Sequence, residues 1–128
     1  MDGLLYAFIC GLLIGLERHI KHKSIGLKTN TLICMGSALF IVIAKMADLE
    51  LSRIVPQIIT GVGFLGAGAI MHSGNSVSGL TTAAIVWIAS AIGVGCGLGF
   101  GAEMLPLTIG YLVIIFFLSF LERRIKHE

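Results

Sequence analysis

IVPQIITGVGFLGAGAIMHSGNSVSGLTTAAIVWIASAIGVGCGLGFGA, residues 54–102, contains no Asp, Glu, Lys or Arg. At 49 residues it is more than twice the ~20 that one helix needs to cross a hydrocarbon core of about 30 Å. The polar segment HSGNSVSG, residues 72–79, supplies the break. It separates two apolar segments, Ile54–Met71 and Leu80–Phe100. Backbone amides cannot stay unpaired in lipid, so a spanning segment is either a helix or part of a closed barrel. Barrel strands alternate apolar and polar residues, whereas these runs are continuously apolar, so the segments read as helices.

The rest of the chain fits the same class. Of 128 residues, 56% are apolar and 12% charged, against roughly 25% charged in an ordinary globular chain. Mean hydropathy is +0.98. Three further spans follow: Gly3–Leu16, about Thr31–Ala47 and Met104–Leu121. The expectation is therefore an all-α integral membrane protein, a single transmembrane domain over residues 1–128 built as a bundle of five helices. Two spans are weak. The first has 14 uncharged residues, about 21 Å of helix, and needs bilayer thinning or snorkelling by Arg18 and Lys21. The second holds Lys45 near its end. A four-helix arrangement stays open for that reason.

Charge orients the bundle, because loops rich in Lys and Arg stay in the cytoplasm. The first loop carries Arg18, Lys21, Lys23 and Lys28, and the tail carries Arg123, Arg124 and Lys126. These are seven of the nine cationic residues, and an odd number of spans puts both segments on one side. The N-terminus is then outside and the C-terminus cytoplasmic. Asp2 stands where a signal peptide would carry positive charge, and no small-residue cleavage site follows, so the first segment reads as a retained span. The net charge of +2 gives no reason to expect nucleic acid. Cys10, Cys34 and Cys96 match no metal-ligand spacing and read as small buried hydrophobes.

Seventeen glycines are the most unusual feature. Glycine lets helix backbones approach closely where lipid supplies no hydrophobic drive between helices. Gly11/Gly15 and Gly95/Gly99 are GxxxG pairs, and Gly61, Gly63, Gly66 and Gly68 are expected to pack span three tightly from more than one side. Gly3, at the outer end of span one, is expected to tolerate a larger residue. GVGFLG, residues 61–66, matches a dinucleotide fingerprint literally, but it lies inside an apolar span with no acid until Glu103. Glycines recur at every second residue from Gly93 to Gly101, which circles a helix and predicts an unravelled or hinged end there.

Polar candidates are few. Glu17-Arg18 closes the first span, with Arg18 on the face of Gly11 and Gly15; it reads either as an interfacial anchor or as a group directed along a neighbouring helix. Arg53 and Gln57, one turn apart, are candidates for a polar site between helices. Thr81 and Thr82 start a helix, where capping or helix–helix hydrogen bonding is their ordinary use. No catalytic triad, HExxH or Walker lysine loop is visible. Scarce intramembrane carboxylates weaken a divalent-cation pathway, since hard cations take oxygen ligands. Nothing in the sequence requires an enzyme activity, a cofactor or a metal.

GLLIGLER (11–18), GLKTNTLICMGSALF (26–40), RIVPQIITGVGFLGAGAI (53–70) and GLTTAAIVWIASAIGVGCGLG (79–99) together resemble the MgtC/SapB family of bacterial membrane proteins. The resemblance covers most of the chain, and GFLGAG followed by GLTTAA is its most specific element. It implies a five-span inner-membrane protein linked to growth in low magnesium and to survival of pathogens inside macrophages. It also implies a regulator that binds other membrane proteins, with ATP synthase and phosphate sensing as its points of action. Homo-oligomerisation stays open, and the rival reading is a small transporter or channel for Mg²⁺ or another ion. The family's name as a transport ATPase protein has no ATPase motif behind it here. In the motif around Lys28 and Thr29 the family's usual arginine is lysine, which keeps charge and loses the bidentate fork. Many members carry a soluble C-terminal domain, whereas this sequence ends seven residues after Leu121; no such domain is expected.

The charge pattern makes a direct prediction. Single cysteines near Lys23, in a background lacking the three native cysteines, should resist an impermeant reagent added to intact cells and react after the membrane is opened. Labelling from outside would refute the orientation.

Overall fold

The computed structural model describes residues 2–127. Helix α1 spans Asp2–Ile20, α2 Leu27–Met46, α3 Leu51–Ala67, α4 Leu80–Gly95 and α5 Gly101–Lys126. Among the described residues, three helical stretches are long and apolar enough to cross a membrane: α1, α2, and Leu80–Lys126 taken as one 47-residue run. Helix α3 is apolar but shorter, at 17 residues. A continuous helix of 47 residues would be about 70 Å long, more than twice the hydrocarbon thickness. A π-helical turn, Cys96–Phe100, interrupts it, and Gly99 within that turn has φ 101° and ψ 8°. Only glycine adopts that backbone without strain, and the break separates α4 from α5.

Helices α1, α2 and α4 form the centre. Helix α3 lies against α2 and α4, and α5 lies mainly against α1. The core consists of small or branched side chains, with Ala7, Cys10, Ile14, Cys34, Ala38, Ile41, Val86, Ala89 and Cys96 almost wholly buried. The three cysteines are free and buried, as their apolar surroundings in the sequence suggest.

Glycine sets the closeness of the crossings at the centre. A Cβ on Gly11 would meet the Thr31 Cα at 2.8 Å, and one on Gly15 would meet the Leu27 carbonyl oxygen at 2.7 Å. Both contacts join α1 to α2, one turn apart on each helix. A Cβ on Gly93 would collide with the Cys34 carbonyl, and one on Gly97 would meet the Ala38 carbonyl oxygen at 2.7 Å. Those two contacts join α2 to the α4 segment. Gly95 faces Met104 and Gly101 faces the Tyr6 ring. The every-second-residue glycines therefore do circle the chain, and these four meet three neighbours, α2, α5 and α1. The expected hinge is present, at Gly99, and it is packed and not loose, because α1, α2 and α5 converge on it.

Several expectations are corrected. In α3 the buried residues are Ile58, Val62 and Gly66, a single stripe at four-residue spacing. Gly66 packs on Ala83, whose carbonyl oxygen would lie 3.3 Å from a Cβ at Gly66, but Gly61 and Gly63 lie off that stripe and meet nothing within 4 Å. Gly68 approaches only the Leu65 carbonyl oxygen of its own last turn, at 3.2 Å. Span three is thus approached from one side. Gly99 also meets nothing, so Gly95 and Gly99 form no crossing, and the value of Gly99 is conformational. Gly3 abuts the Cys96 carbonyl and has no room for a side chain. The segment between α3 and α4 is more ordered than a plain break. Strands β1, Met71–Ser73, and β2, Ser76–Ser78, pair antiparallel around Gly74 (φ 62°) and Asn75, with His72 opposite Val77. A left-handed residue in a two-residue loop matches the strand twist.

One polar bond crosses the centre. The Ser37 and Ser90 hydroxyls, on α2 and α4, lie 2.7 Å apart and are buried. Interhelical hydrogen bonds in membranes average about 0.6 kcal/mol, while overpacking a tight contact costs about 1–3 kcal/mol. Gly93→Ala should therefore lower thermal stability in detergent more than Ser37→Ala does, and Gly63→Ala should leave it unchanged. Equal melting of all three variants would mean that the α2–α4 crossing is looser than described.

Candidate functional site

Polar side chains gather at one end of the bundle. Helix α1 closes with a Schellman-type turn. The Lys23 amide donates to the Arg18 carbonyl at 3.1 Å, the His22 amide donates to the His19 carbonyl at 3.0 Å, and His22 is left-handed at φ 55°. This turns the basic first loop back over the bundle end. It meets there the β-hairpin, the start of α4 and the last turns of α5. Between them lies a pocket of about 720 Å³, lined by Arg18, Lys21, Lys23, Thr81, Thr82, Glu122, Arg123 and Lys126, with Leu80, Ile115 and Leu118 as apolar wall.

Arg18 is the anchor of this site. It is 3% exposed, on the α1 face that carries Gly11 and Gly15. Its guanidinium donates twice to Glu17, at 2.6 Å to Oε2 and 2.8 Å to Oε1. The Lys21 ammonium reaches the same carboxylate at 2.9 Å. One carboxylate thus neutralises a buried cation and ties down a second. Of the two sequence readings for Arg18, the geometry favours the inward one, since an interfacial anchor would be exposed.

Thr81 is exposed and Thr82 is buried, at 6% exposure. Neither caps α4: the N-cap is Gly79, at φ 85° with no side-chain cap bond, and a Cβ there would collide with the Ala69 carbonyl. Glu17, Arg18, Thr81 and Thr82 are therefore brought to one place. The remaining polar candidates are not. Lys28 is exposed at the same end, outside the pocket. Arg53 is exposed and pairs with Glu50 at 2.9 Å, so it makes no joint site with Gln57. Such an exposed pair contributes about 0–1 kcal/mol. Gln57 and Thr29 instead line a second cleft, of about 740 Å³, between α2 and α3. Its walls are apolar, with Leu32, Phe40, Ile58 and Leu65, and Gly36 and Gly61 lie along it with nothing within 4 Å of their Cβ positions.

Sequence reasoning missed three features here. Asn30, buried in α2, donates from its amide to the carbonyls of Ile25 (3.2 Å) and Gly26 (2.9 Å), fastening the first loop to the helix. An amide inside an apolar run was the available signal. The Ser37–Ser90 bond carried no signal beyond two serines in separate spans. Arg123 and Lys126 were legible as tail charges, but nothing in the sequence brought them, or Glu122 beside them, to Arg18. Among the described residues, no group of three His, Cys, Asp or Glu side chains is placed to hold a metal ion.

Closely crossing apolar helices of membrane-spanning length, with one basic polar end, define a helical membrane protein. The MgtC family model matches residues 4–124, and the chain belongs to the MgtC family. It is 47% identical over 95 residues to Protein MgtC of Brucella abortus (strain 2308), covering 73% of this chain and 40% of that protein. It is 45% identical over 108 residues to Protein MgtC of Salmonella typhimurium (strain LT2), covering 84% of this chain and 47% of that one. These relatives are named as proteins of the family and not as enzymes. The chain spans less than half the length of the curated relatives it matches. No solved structure matches it.

Removing the counter-charge tests the role of Arg18. Glu17→Gln leaves a buried guanidinium without its anion, and breaking a buried ion pair costs about 3–5 kcal/mol. Because Glu17 itself is partly exposed, the expected loss in detergent unfolding is about 3 kcal/mol. Glu50→Gln at the opposite end should shift unfolding by less than about 1 kcal/mol.

Proposed function

We propose that this chain is a non-enzymatic regulator of the MgtC type, acting in the bacterial inner membrane by binding other membrane proteins. It crosses the membrane five times, with its N-terminus outside and its C-terminus in the cytoplasm. The gathering of the first loop, the hairpin and the tail at one end supports that arrangement, since an odd number of crossings puts these three segments on one side. Seven of nine cations lie in the first loop, the start of α2 and the tail, and the positive-inside rule makes that side cytoplasmic.

The observation that carries the binding role is the cleft between α2 and α3. Its lining is apolar apart from Thr29, Gln57 and the already bonded Ser37, and Gly36 and Gly61 leave its floor open. In lipid, helices associate through close backbone approach at small residues. A groove with two uncovered glycines therefore fits a transmembrane helix of a partner protein. Adaptation to low magnesium, survival inside host cells, and ATP synthase or phosphate-sensing proteins as partners are carried by the family resemblance.

A photo-reactive residue placed at Leu32 or Leu65, in native membranes, should cross-link to a distinct membrane protein. A Cβ at Gly61 meets nothing within 4 Å, so Gly61→Leu projects a side chain into open cleft and should abolish the adduct with little change in melting temperature. An adduct that persists in Gly61→Leu removes the cleft from the proposal. Specific ion flux through the purified protein in vesicles, lost in Gln57→Ala, would establish the transporter reading in its place.

A further inference from the structure

We infer that the basic pocket at the bundle end binds the phosphate-bearing headgroup of an anionic phospholipid. The inference is independent of which membrane face this end occupies and of what the α2–α3 cleft holds.

Three observations converge on it. The first is uncompensated charge. Arg18, Lys21, Lys23, Arg123 and Lys126 face the pocket, while the carboxylates nearby are Glu122 on its wall and Glu17 behind Arg18. Glu17 is already shared by Arg18 and Lys21. Among the described residues, Lys23, Arg123 and Lys126 make no ion pair. Cations in a concavity with low-dielectric walls focus an attraction for anions.

The second is the start of α4, which opens into the same pocket. Its first backbone bond runs from the Ala83 amide to the Gly79 carbonyl, at 2.9 Å. The amides of Leu80, Thr81 and Thr82 precede it, and Gly79 supplies no side-chain acceptor. A helix N-terminus of this kind attracts phosphate through its amides and its dipole. Here it is joined by Thr82, a residue 6% exposed that lines the same pocket and whose hydroxyl makes no hydrogen bond among the described residues. The third is the mixed lining. Leu80 and Leu118 belong to the pocket and are also about half exposed on the outside of the bundle. A headgroup seated among the cations would therefore lead its acyl chains onto an apolar surface that adjoins the site. Basic pockets between membrane helices at the headgroup level hold anionic lipids by this chemistry.

A zwitterionic lipid brings its own cation into a site that already has a surplus of positive charge, so the pocket should discriminate against it. Inorganic phosphate shares the oxyanion and lacks the chains.

The test uses the full chain purified in a neutral detergent. Melting temperature and native mass spectrometry are followed with cardiolipin, with phosphatidylcholine, or with inorganic phosphate. Cardiolipin should raise the melting temperature and remain bound in the gas phase, and phosphatidylcholine should do neither. Arg123→Gln and Lys126→Gln should each weaken cardiolipin binding roughly fivefold, since a cation near the surface of an anionic membrane is worth about that factor. Thr82→Val should weaken it while leaving surface charge unchanged. Lys28→Gln and Arg124→Gln remove charge at the same end but outside the pocket, Arg124 standing over the Phe120 ring at 5.3 Å; both should bind as the parent does. Equal weakening by pocket and control variants would reduce the effect to general surface charge and overturn the inference. Full stabilisation by inorganic phosphate, with no added effect of cardiolipin, would overturn the assignment to a lipid.

Discussion

Backbone-to-backbone approach at glycine is the constraint on which the other features depend. In water a bundle of this size would be held by expelling solvent from apolar faces, but lipid chains are as apolar as the helices themselves. What remains is contact energy, which falls steeply once a gap opens between surfaces. Gly11 and Gly15 let α1 reach the backbone of α2, and Gly93 and Gly97 let α4 reach the other side of α2. The small core residues follow from this. Where helix axes come so close, the small side chains of Ala7, Cys10, Cys34, Ala38 and Ala89 fill the core beside the branched Ile14, Ile41 and Val86.

The same closeness fixes the polar end. Because α1 lies tight against α2 as far as Gly15, Arg18 one turn later is still inside the bundle when the helix reaches its polar end. A buried guanidinium needs a counter-charge, and its sequence neighbour Glu17 supplies it. The Schellman turn, the hairpin and the uncapped start of α4 are then assembled around a fixed cation. The two clefts differ in kind for this reason. One has walls of fixed charge, and the other is an apolar gap left where α3 meets the bundle along a single stripe.

Much of this fold was legible in the sequence because charge exclusion from lipid is a strong, additive signal. The uncharged run of residues 54–102 and the clustering of cations required little more than counting. The glycines were legible only in part. Gly11 and Gly15 share a face with Arg18, and periodicity identified it. For Gly61 and Gly63 the residue type carries the same signal, yet whether a neighbouring helix stands opposite is a property of the tertiary arrangement. The alternating glycines from Gly93 to Gly101 read as weakness, since helix propensity is a local quantity, whereas their effect is to admit α1, α2 and α5 from three directions. The pocket was the least legible feature. Its cations lie more than 90 residues apart along the chain, and single-sequence spacing carries no information about such pairs.

The left-handed turn at Gly99 bears on how the protein enters the membrane. No Asp, Glu, Lys or Arg lies between Arg53 and Glu103, so the turn joining α4 to α5 presents only backbone dipoles and apolar side chains. On the five-span arrangement this turn must travel the full thickness of the bilayer during biogenesis. A charged turn would make that journey costly, and the pair of helices would have to be threaded in succession. An uncharged turn that is already bent by its own backbone lowers that cost, and Glu103, in the first turn of α5, is the one charge that must follow it across.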